Sequence, residues 1–159
     1  MAFPSDIARL VKGLFRGREE EFEPESGVVL IYGAKDYMPV HRDVSEECER
    51  GLASFSLGCD GLFILSREKE NFTSAEGNGE EDENREMEML VLRVRSGDCV
   101  WMGGETRWCW HAMPKVMAGT CPEWLEAWPA EKGGRKEFEK WKGFMAGKRV
   151  NISCRQVWG

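Results

Sequence analysis

Hydrophobic residues recur along the chain with two different periods. Between Phe3 and Phe15 they follow helical spacing behind a Pro-Ser-Asp start signal, which predicts an amphipathic helix. Further along, short segments rich in β-branched and aromatic residues end at turn signals such as Ser96-Gly97-Asp98, which is typical of an antiparallel barrel or jelly roll. The six predicted strands are Val28–Tyr32, Leu52–Leu57, Leu62–Leu65, Met89–Arg95, Cys99–Met102 and Val150–Val157.

Two stretches interrupt this strand pattern. Residues from about 66 to 88 are polar, acidic and glycine-containing, which indicates a flexible loop between two strands. Residues from about 114 to 148 are rich in tryptophan and charge, and we expect one or two helices there that pack against the barrel. With 159 residues and 42% hydrophobic content, the chain is predicted to form one mainly β domain, 1–159, with flanking helices.

Charge is distributed unevenly along the sequence. The net charge of −6 argues against a polyanionic partner such as DNA or RNA. However, the segment from Glu76 to Glu88 holds seven acids and one base, so the remainder of the chain is formally neutral. From Lys132 to Arg149 seven bases face two acids, a pattern that fits either a solvated helix face or a phosphate-binding surface.

Cysteine usage and hydropathy indicate an intracellular protein. Six cysteines occur without CxxC spacing in a chain that is large enough to fold without disulfides, which favours reduced, buried thiols. The longest apolar runs have the length of strands, and none has the form of a secretory signal or a membrane span. We expect a location in the nucleus, cytoplasm or mitochondrion, with no membrane association and no obligate protein partner.

The only two histidines of the chain are candidates for metal ligation. His41 lies two residues before Asp43, and side chains at i and i+2 of a strand share a face. Together with His111 they could supply two imidazoles and one carboxylate, the facial triad that is typical of non-haem Fe(II) oxygenases. An HxD motif alone is weak evidence, because a single histidine of this kind is more often a hydrogen-bonded structural residue.

The last predicted strand carries polar residues at every odd position. Arg149, Asn151, Ser153 and Arg155 therefore share one face. The two arginine backbones lie roughly 20 Å apart, and extended side chains leave a gap on the order of 6–8 Å, about the length of a five-carbon diacid. Two inward guanidiniums need anions, which a dicarboxylate cosubstrate or protein carboxylates could supply. An outward orientation on a solvated edge is the remaining alternative.

In order and spacing, these motifs resemble those of the AlkB-like oxygenases over most of the chain. The opening Phe-Pro-Ser-Asp and the closing segment up to Val157 look most like the eukaryotic AlkB homologue one branch. The motifs are Tyr32, His41-Arg42-Asp43, Ser54-Phe55-Ser56-Leu57-Gly58, Ser96-Gly97-Asp98, Thr106-Arg107 to His111, and RxNxxxR from Arg149 to Arg155.

The resemblance implies a double-stranded β-helix, a cupin-like jelly roll, with Fe(II) bound by His41, Asp43 and His111. It also implies 2-oxoglutarate as cosubstrate and O2 as oxidant. The corresponding activity is oxidative demethylation of N-methylated bases in DNA or RNA, with release of formaldehyde, succinate and CO2. Methylated DNA or RNA would then be the substrate.

The resemblance also implies roles in cosubstrate binding. By analogy Arg149, with Tyr32 and Asn151, would take the distal carboxylate of 2-oxoglutarate, and Arg155 would lie towards the iron-bound end. The family usually has an asparagine two residues before the tyrosine, whereas this chain has Leu30. One hydrogen bond to the cosubstrate is therefore expected to be missing.

Two further departures concern the substrate. Bacterial members have a base-binding aspartate soon after HxD, where this chain has Ser45, and only 40 residues precede His41, so the nucleotide-recognition lid is expected to be absent or shortened. These departures leave two alternatives open: a 2-oxoglutarate oxygenase that acts on a protein or small molecule, and a non-catalytic binding module.

Tryptophans are candidates for gripping a nucleic acid by stacking. Trp124, Trp128 and Trp141 alternate with lysines, but we expect them to anchor the helical layer. Trp108 and Trp110 lie on the face opposite Cys109 and His111, and core packing is predicted for both.

Overall fold

Eight antiparallel strands form the framework of the structure, a computed structural model that describes residues 3–17, 22–69, 72, 89–130 and 134–158. The strands are β1 (Ser26–Tyr32), β2 (Met38–His41), β3 (Leu52–Gly58), β4 (Asp60–Ser66), β5 (Met89–Val94), β6 (Cys99–Met102), β7 (Trp110–Met117) and β8 (Arg149–Arg155). Sheet A has the strand order β1-β8-β3-β6, and sheet B has the order β2-β7-β4-β5. Two four-stranded antiparallel sheets of this kind form a jelly roll, so the predicted fold class is confirmed.

The predicted N-terminal helix is present as α1 (Ser5–Phe15). Its apolar side packs on the outer face of sheet A, where Val11 is fully buried. Phe15 stacks on Trp101 of β6 with ring centroids 4.4 Å apart, and Phe22 meets the same ring edge-on at 5.1 Å. Because α1 covers this outer face, the inner face of sheet A remains available to line a cavity.

All six predicted strands are present, and the structure has two further strands, β2 and β7, that the hydrophobic pattern did not predict. The beginning of the predicted helical stretch is in fact extended, because β7 runs through Pro114 to Met117. The β4–β7 pairing shifts register between Leu62 and Ile64, opposite Pro114. An irregularity at this point accommodates a residue that has no backbone N–H to donate to the ladder.

Among the described residues after β7, three short helices follow: α2 (Glu123–Glu126) and two 3-10 helices, Lys136–Trp141 and Met145–Gly147. Leu125 and Met145 are the buried anchors of this layer. The expectation that tryptophans anchor it is wrong, because Trp124, Trp128 and Trp141 expose 72%, 50% and 43% of their surface. The predicted acidic loop lies almost entirely outside the described residues.

The cysteines and the helices carry little further information on function. All six cysteines are free, and five of them are buried. Burial, aided by the neighbouring Cys154, raises the pKa of Cys99 to about 11, so this thiol stays protonated at neutral pH. In the part of the chain that the structure describes, no helix is long and apolar enough to cross a membrane.

Candidate active site

A cavity between the two sheets contains nearly all of the residues singled out from the sequence. His41, Asp43 and His111 lie on the side of sheet B. The polar face of β8 lines the opposite wall with Arg149, Asn151, Ser153 and Arg155. The predicted inward orientation of this face is therefore present in the structure. Apolar side chains of sheet A and of β5 fill much of the remaining wall, so the polar groups converge in a largely dry space.

The two histidines and Asp43 converge at one point. His41 and His111 are directly opposite each other in the pairing of β2 with β7, and their ring centroids are 4.2 Å apart. Strand β2 ends at His41, so Asp43 approaches from the segment that follows and not from the strand itself. One ligand atom from each of the three side chains lies within 4.8 Å of the others. Two imidazoles and a carboxylate in this arrangement are a donor set that suits Fe(II).

Backbone carbonyl groups orient both imidazoles. Nδ1 of His41 lies 2.9 Å from the oxygen of Pro39, and Nδ1 of His111 lies 3.2 Å from the oxygen of Cys109. A carbonyl oxygen can only accept, so each Nδ1 carries the proton and donates it. In the neutral imidazole this leaves the lone pair of Nε2 free for a metal. Nε2 of His111 also lies 3.6 Å from the carboxylate of Asp43.

Asp43 is held as a carboxylate by its neighbours. Its Oδ1 accepts a hydrogen bond of 2.8 Å from Arg155. Burial alone would raise the pKa of Asp43, but the neighbouring His111 and the charge of Arg155 outweigh this effect and hold the pKa at about 2. Asp43 is therefore ionised at every physiological pH, as a metal ligand must be.

A buried ion-pair network that was not foreseen supports the segment after β2. Glu46 accepts from Arg155 at 2.5 Å and from Arg107 at 2.7 Å, and its side chain is only 4% exposed. Arg107 also donates to the backbone oxygens of Asp43, at 2.5 Å, and Arg50, at 3.1 Å. The guanidinium of Arg107 thus fixes the backbone that carries Asp43. The sequence offered a signal, since Arg107 belongs to the motif before His111, but nothing indicated its partner.

Arg149 differs from Arg155 because it has no anionic partner within the described part of the chain. Its Nη2 donates to Ser56 Oγ at 3.0 Å, whereas Nε and Nη1 are buried and have no hydrogen-bond partner among the described residues. The carboxylate of Asp60, whose charge acts on Arg149, is already bound to Arg93 at 2.7–2.8 Å. A buried guanidinium with two free donors is costly unless an anion binds it. A carboxylate of a diacid fits this requirement, with two parallel hydrogen bonds available.

The surroundings of Arg149 leave space for such an anion. Tyr32 lies opposite Arg149 in the pairing of β1 with β8. Burial raises the pKa of Tyr32, and the nearby Arg149 only partly offsets this, so the phenol remains a hydrogen-bond donor. Gly61 lies against Arg149, because a Cβ there would come within 2.9 Å of Nε and 2.5 Å of the sulfur of Met113. A larger residue at this position would therefore displace the side chain of Met113 or Arg149.

Asn151 and Leu30 face each other across β1 and β8. The amide nitrogen of Asn151 donates to Ser54 Oγ at 2.7 Å and to the backbone oxygen of Phe55 at 3.0 Å. These bonds to β3 orient Asn151 and leave its carbonyl oxygen as the free polar atom. Leu30 places an apolar surface in the cavity wall beside it, at the position where the family usually has asparagine.

The two tryptophans before His111 are not core residues. Trp108 is 38% exposed, and Trp110 is half-buried between two cations, Arg42 and Lys69. The prediction of core packing for these two side chains is therefore wrong. Alternation along β7 explains the result, since His111 faces the cavity and Trp110 must face the outer side of sheet B.

The fold and the cavity together define a class of protein: a jelly-roll protein with a two-histidine, one-carboxylate cluster beside a buried arginine. The sequence from residue 1 to residue 155 matches the profile of the 2OG-Fe(II) oxygenase superfamily. The chain belongs to this superfamily, and membership implies Fe(II) and 2-oxoglutarate as its metal and cosubstrate.

Known relatives agree with the AlkB-like character of the motifs. The chain is 44% identical to the N6-methyladenosine RNA demethylase ALKBH of Cryphonectria parasitica over 158 residues, which cover 98% of this chain and 65% of that protein. It is also 44% identical to the N6-methyladenosine RNA demethylase ALKB1 of Pyricularia oryzae, over 98% of this chain and 41% of that protein. The chain thus spans less than two thirds of the length of either relative.

A solved structure shares the fold. The structure of OsALKBH1 superposes with a TM-score of 0.66 at 19% identity, over 97% of this chain and 66% of that chain. This likeness supports the jelly-roll architecture over the whole described chain.

Proposed function

We propose that the protein is an Fe(II)- and 2-oxoglutarate-dependent dioxygenase that removes N-methyl groups from bases of nucleic acids. One observation carries the proposal: three ligand atoms within 4.8 Å of one another share a cavity with a buried guanidinium that lacks an anionic partner. The first feature suits the metal and the second suits the diacid.

His41, Asp43 and His111 would hold the metal. Fe(II), 2-oxoglutarate and O2 bound there supply the oxidising chemistry, in which the diacid becomes succinate and CO2 and a hydroxylated N-methyl group leaves as formaldehyde. The chain fixes the geometry: the backbone oxygens of Pro39 and Cys109 orient the two imidazoles. Arg155 keeps Asp43 ionised and binds its Oδ1, while Oδ2 lies 3.6 Å from Nε2 of His111.

Arg149 would bind the distal carboxylate of 2-oxoglutarate, with the Tyr32 hydroxyl as a further donor. The free Nε and Nη1 of Arg149 support this role. The amide of Asn151 is committed to β3, so we propose that Asn151 shapes the pocket through its carbonyl oxygen and its position. Arg155 already has two protein carboxylates as partners, which supports a positioning role through Asp43 at the metal end.

The substrate proposed first is RNA that contains N6-methyladenosine. Two relatives that are 44% identical to this chain are named for this activity. Other N-methylated bases in DNA or RNA are the alternatives within the same chemistry. An intracellular location remains a prediction of the sequence.

The test is product formation by the purified chain. Formaldehyde and succinate are measured with Fe(II), 2-oxoglutarate and a methylated oligonucleotide, and each omission should abolish formaldehyde release. His111→Ala should remove activity, whereas Lys115→Ala, an exposed position on the same strand, should retain it. Succinate formation that methylated RNA and DNA do not stimulate would contradict the nucleic-acid substrate and favour a protein or small molecule. No product with metal bound would favour a binding module.

A further inference from the structure

A cationic cluster lies on the outer side of sheet B, behind the candidate metal site. The guanidinium carbon of Arg42 is 4.7 Å from the centroid of the Trp110 ring, and the ammonium nitrogen of Lys69 is 5.0 Å from it. Arg42 and Lys69 are exposed, and Trp110 is half-buried. An aromatic face attracts cations, so the indole fixes both charges in place while their N–H donors stay accessible. We call Arg42, Lys69 and Trp110 the outer cationic cluster.

Strand register places this cluster next to the proposed chemistry. His41 pairs with His111. Because β2 and β7 are antiparallel, the residue after His41, Arg42, comes opposite the residue before His111, Trp110. Trp110 also pairs with Ser66, the last residue of β4, and Lys69 lies three residues beyond it. The ends of β2 and β4 and the start of β7 therefore meet at one end of the sheet. In the sequence Arg42 lies between two of the proposed metal ligands, His41 and Asp43, and Trp110 directly precedes the third, His111.

The cluster has unbalanced charge. Among the described residues, neither Arg42 nor Lys69 forms an ion pair, whereas neighbouring Arg67 is bound to Glu105 at 2.5 Å. Two ordered cations on one ring repel each other unless an anion binds between or above them. The donors of both groups suit a phosphodiester, which accepts hydrogen bonds from several directions.

We propose that the outer cationic cluster binds the phosphate backbone of single-stranded nucleic acid next to the nucleotide whose base enters the cavity. This inference rests on the proposed function and adds the position of the substrate backbone. A cavity that accepts one base must take it from a single strand or from a flipped nucleotide, and the flanking phosphates then need a contact near the cavity. Since cations cover the Trp110 ring, the indole orders the charges and does not stack a base.

Salt dependence of oligonucleotide binding tests the proposal without any catalysis. The full chain, without iron, is titrated into a labelled unmethylated single-stranded RNA, and Kd is measured by anisotropy over a series of salt concentrations. The slope of log K against log salt is negative, and each lost phosphate contact on a single strand reduces its magnitude by about 0.7. This corresponds to a roughly five-fold weaker Kd at about 0.1 M salt. Arg42→Gln and Lys69→Gln should each reduce the magnitude of the slope by about this amount.

The matched control is Arg135→Gln. Arg135 is also an exposed arginine over an aromatic ring, 4.6 Å from the centroid of Phe138, but it lies in the helical layer. Its replacement should leave the slope unchanged. Lys69→Gln lies beyond the end of β4, so it tests the cluster even if Arg42→Gln impairs folding, which thermal denaturation would reveal.

Three results would overturn the proposal: an unchanged slope in Lys69→Gln, an equal loss in Arg135→Gln, or equal weakening of binding to a polyglutamate peptide. The last result would indicate a general anion site. A parallel series with single-stranded DNA distinguishes the two nucleic acids. The two proposals can fail separately. If the wild-type chain does not demethylate but the cluster variants show a shallower salt dependence, only the proposed function is contradicted. If the wild-type chain demethylates but the variants show an unchanged salt dependence, only the role of the outer cationic cluster is contradicted.

Discussion

Arg107 donates from Nη2 to Glu46 at 2.7 Å, and the two side chains expose only 1% and 4% of their surface. The same guanidinium holds the backbone oxygen of Asp43. A fully buried arginine thus connects the segment after β2 to the 3-10 helix Gly104–Trp108, which leads into β7. The candidate metal site depends on this link, because its three ligands come from these two parts of the chain.

Replacing Arg107 with lysine is expected to destabilise the fold and weaken metal binding together. Lysine keeps the charge but cannot reach Asp43, Glu46 and Arg50 at once, so a buried carboxylate loses a partner. The expected loss is about 3 kcal/mol in the free energy of unfolding, with weaker Co(II) binding. Urea unfolding and Co(II) titration measure the two effects. Arg67→Lys, in an exposed pair with Glu105, should change stability by less than about 0.5 kcal/mol.

Arg149→Lys is expected to weaken 2-oxoglutarate binding by about 10- to 100-fold. An ammonium group cannot make two parallel hydrogen bonds to a carboxylate, and it also lacks the fork that reaches Ser56. Anaerobic titration of the Fe(II) protein with 2-oxoglutarate gives Kd from the visible charge-transfer band. Arg93→Lys is the control, because Arg93 binds Asp60 and not the cavity. An unchanged Kd in Arg149→Lys would place the diacid elsewhere.

Leu30→Asn is expected to tighten 2-oxoglutarate binding and to weaken the fold. The new amide would stand opposite Asn151 in the cavity wall and restore the hydrogen bond that the family usually has, with a gain of about 1 kcal/mol or roughly five-fold in Kd. Loss of the leucine side chain from the apolar cluster should cost on the order of 1–2 kcal/mol. Val29→Asn, at an outward position of the same strand, should leave Kd unchanged. If Leu30→Asn also leaves it unchanged, the wall at this position does not contact the cosubstrate.

The pKa of Asp43 predicts an acid-dependent loss of stability in the metal-free protein. Its pKa in the fold is about 2, against an ordinary value of 3.8. Because the pKa is lower in the folded than in the unfolded chain, ionised Asp43 stabilises the fold fully at pH above the unfolded pKa. This stabilisation is lost as the pH falls through the folded pKa. The contribution should fall by about 1 kcal/mol between pH of about 5 and about 3. Urea unfolding of wild type and Asp43→Asn measures it, and equal pH dependence in both would contradict the assignment.

The sequence predicted much of the fold because alternation and helical spacing report directly on burial. The inward polar face of β8 followed from alternation alone. Strand β7 was missed because Pro114 ended the pattern, and the irregular pairing that accommodates it is visible only in the paired sheets. Burial was expected for these tryptophans because large aromatic side chains are usually buried. Trp124 and Trp141 instead lie in helices of four and six residues, and Trp128 lies in a turn, so all three stay exposed.

The site was predictable in part. The convergence of His41, Asp43 and His111 followed from motif order, although Asp43 lies beyond the strand that was expected to carry it. The sequence could not show which arginine would have protein partners. That depends on Glu46, which reaches Arg155 and Arg107 only because the segment after β2 folds back over the end of β8.

Strand β2 has four residues and, among the described strands, lies at the edge of sheet B and pairs with β7. A slip of one residue in this pairing would turn His41 to the solvent side and Arg42 towards the cavity. A cation bound by both histidines would therefore act as a crosslink that selects one alignment of a marginal edge strand. Amide hydrogens of β2 should exchange more slowly when metal is present, even though they lie outside the hydrophobic core.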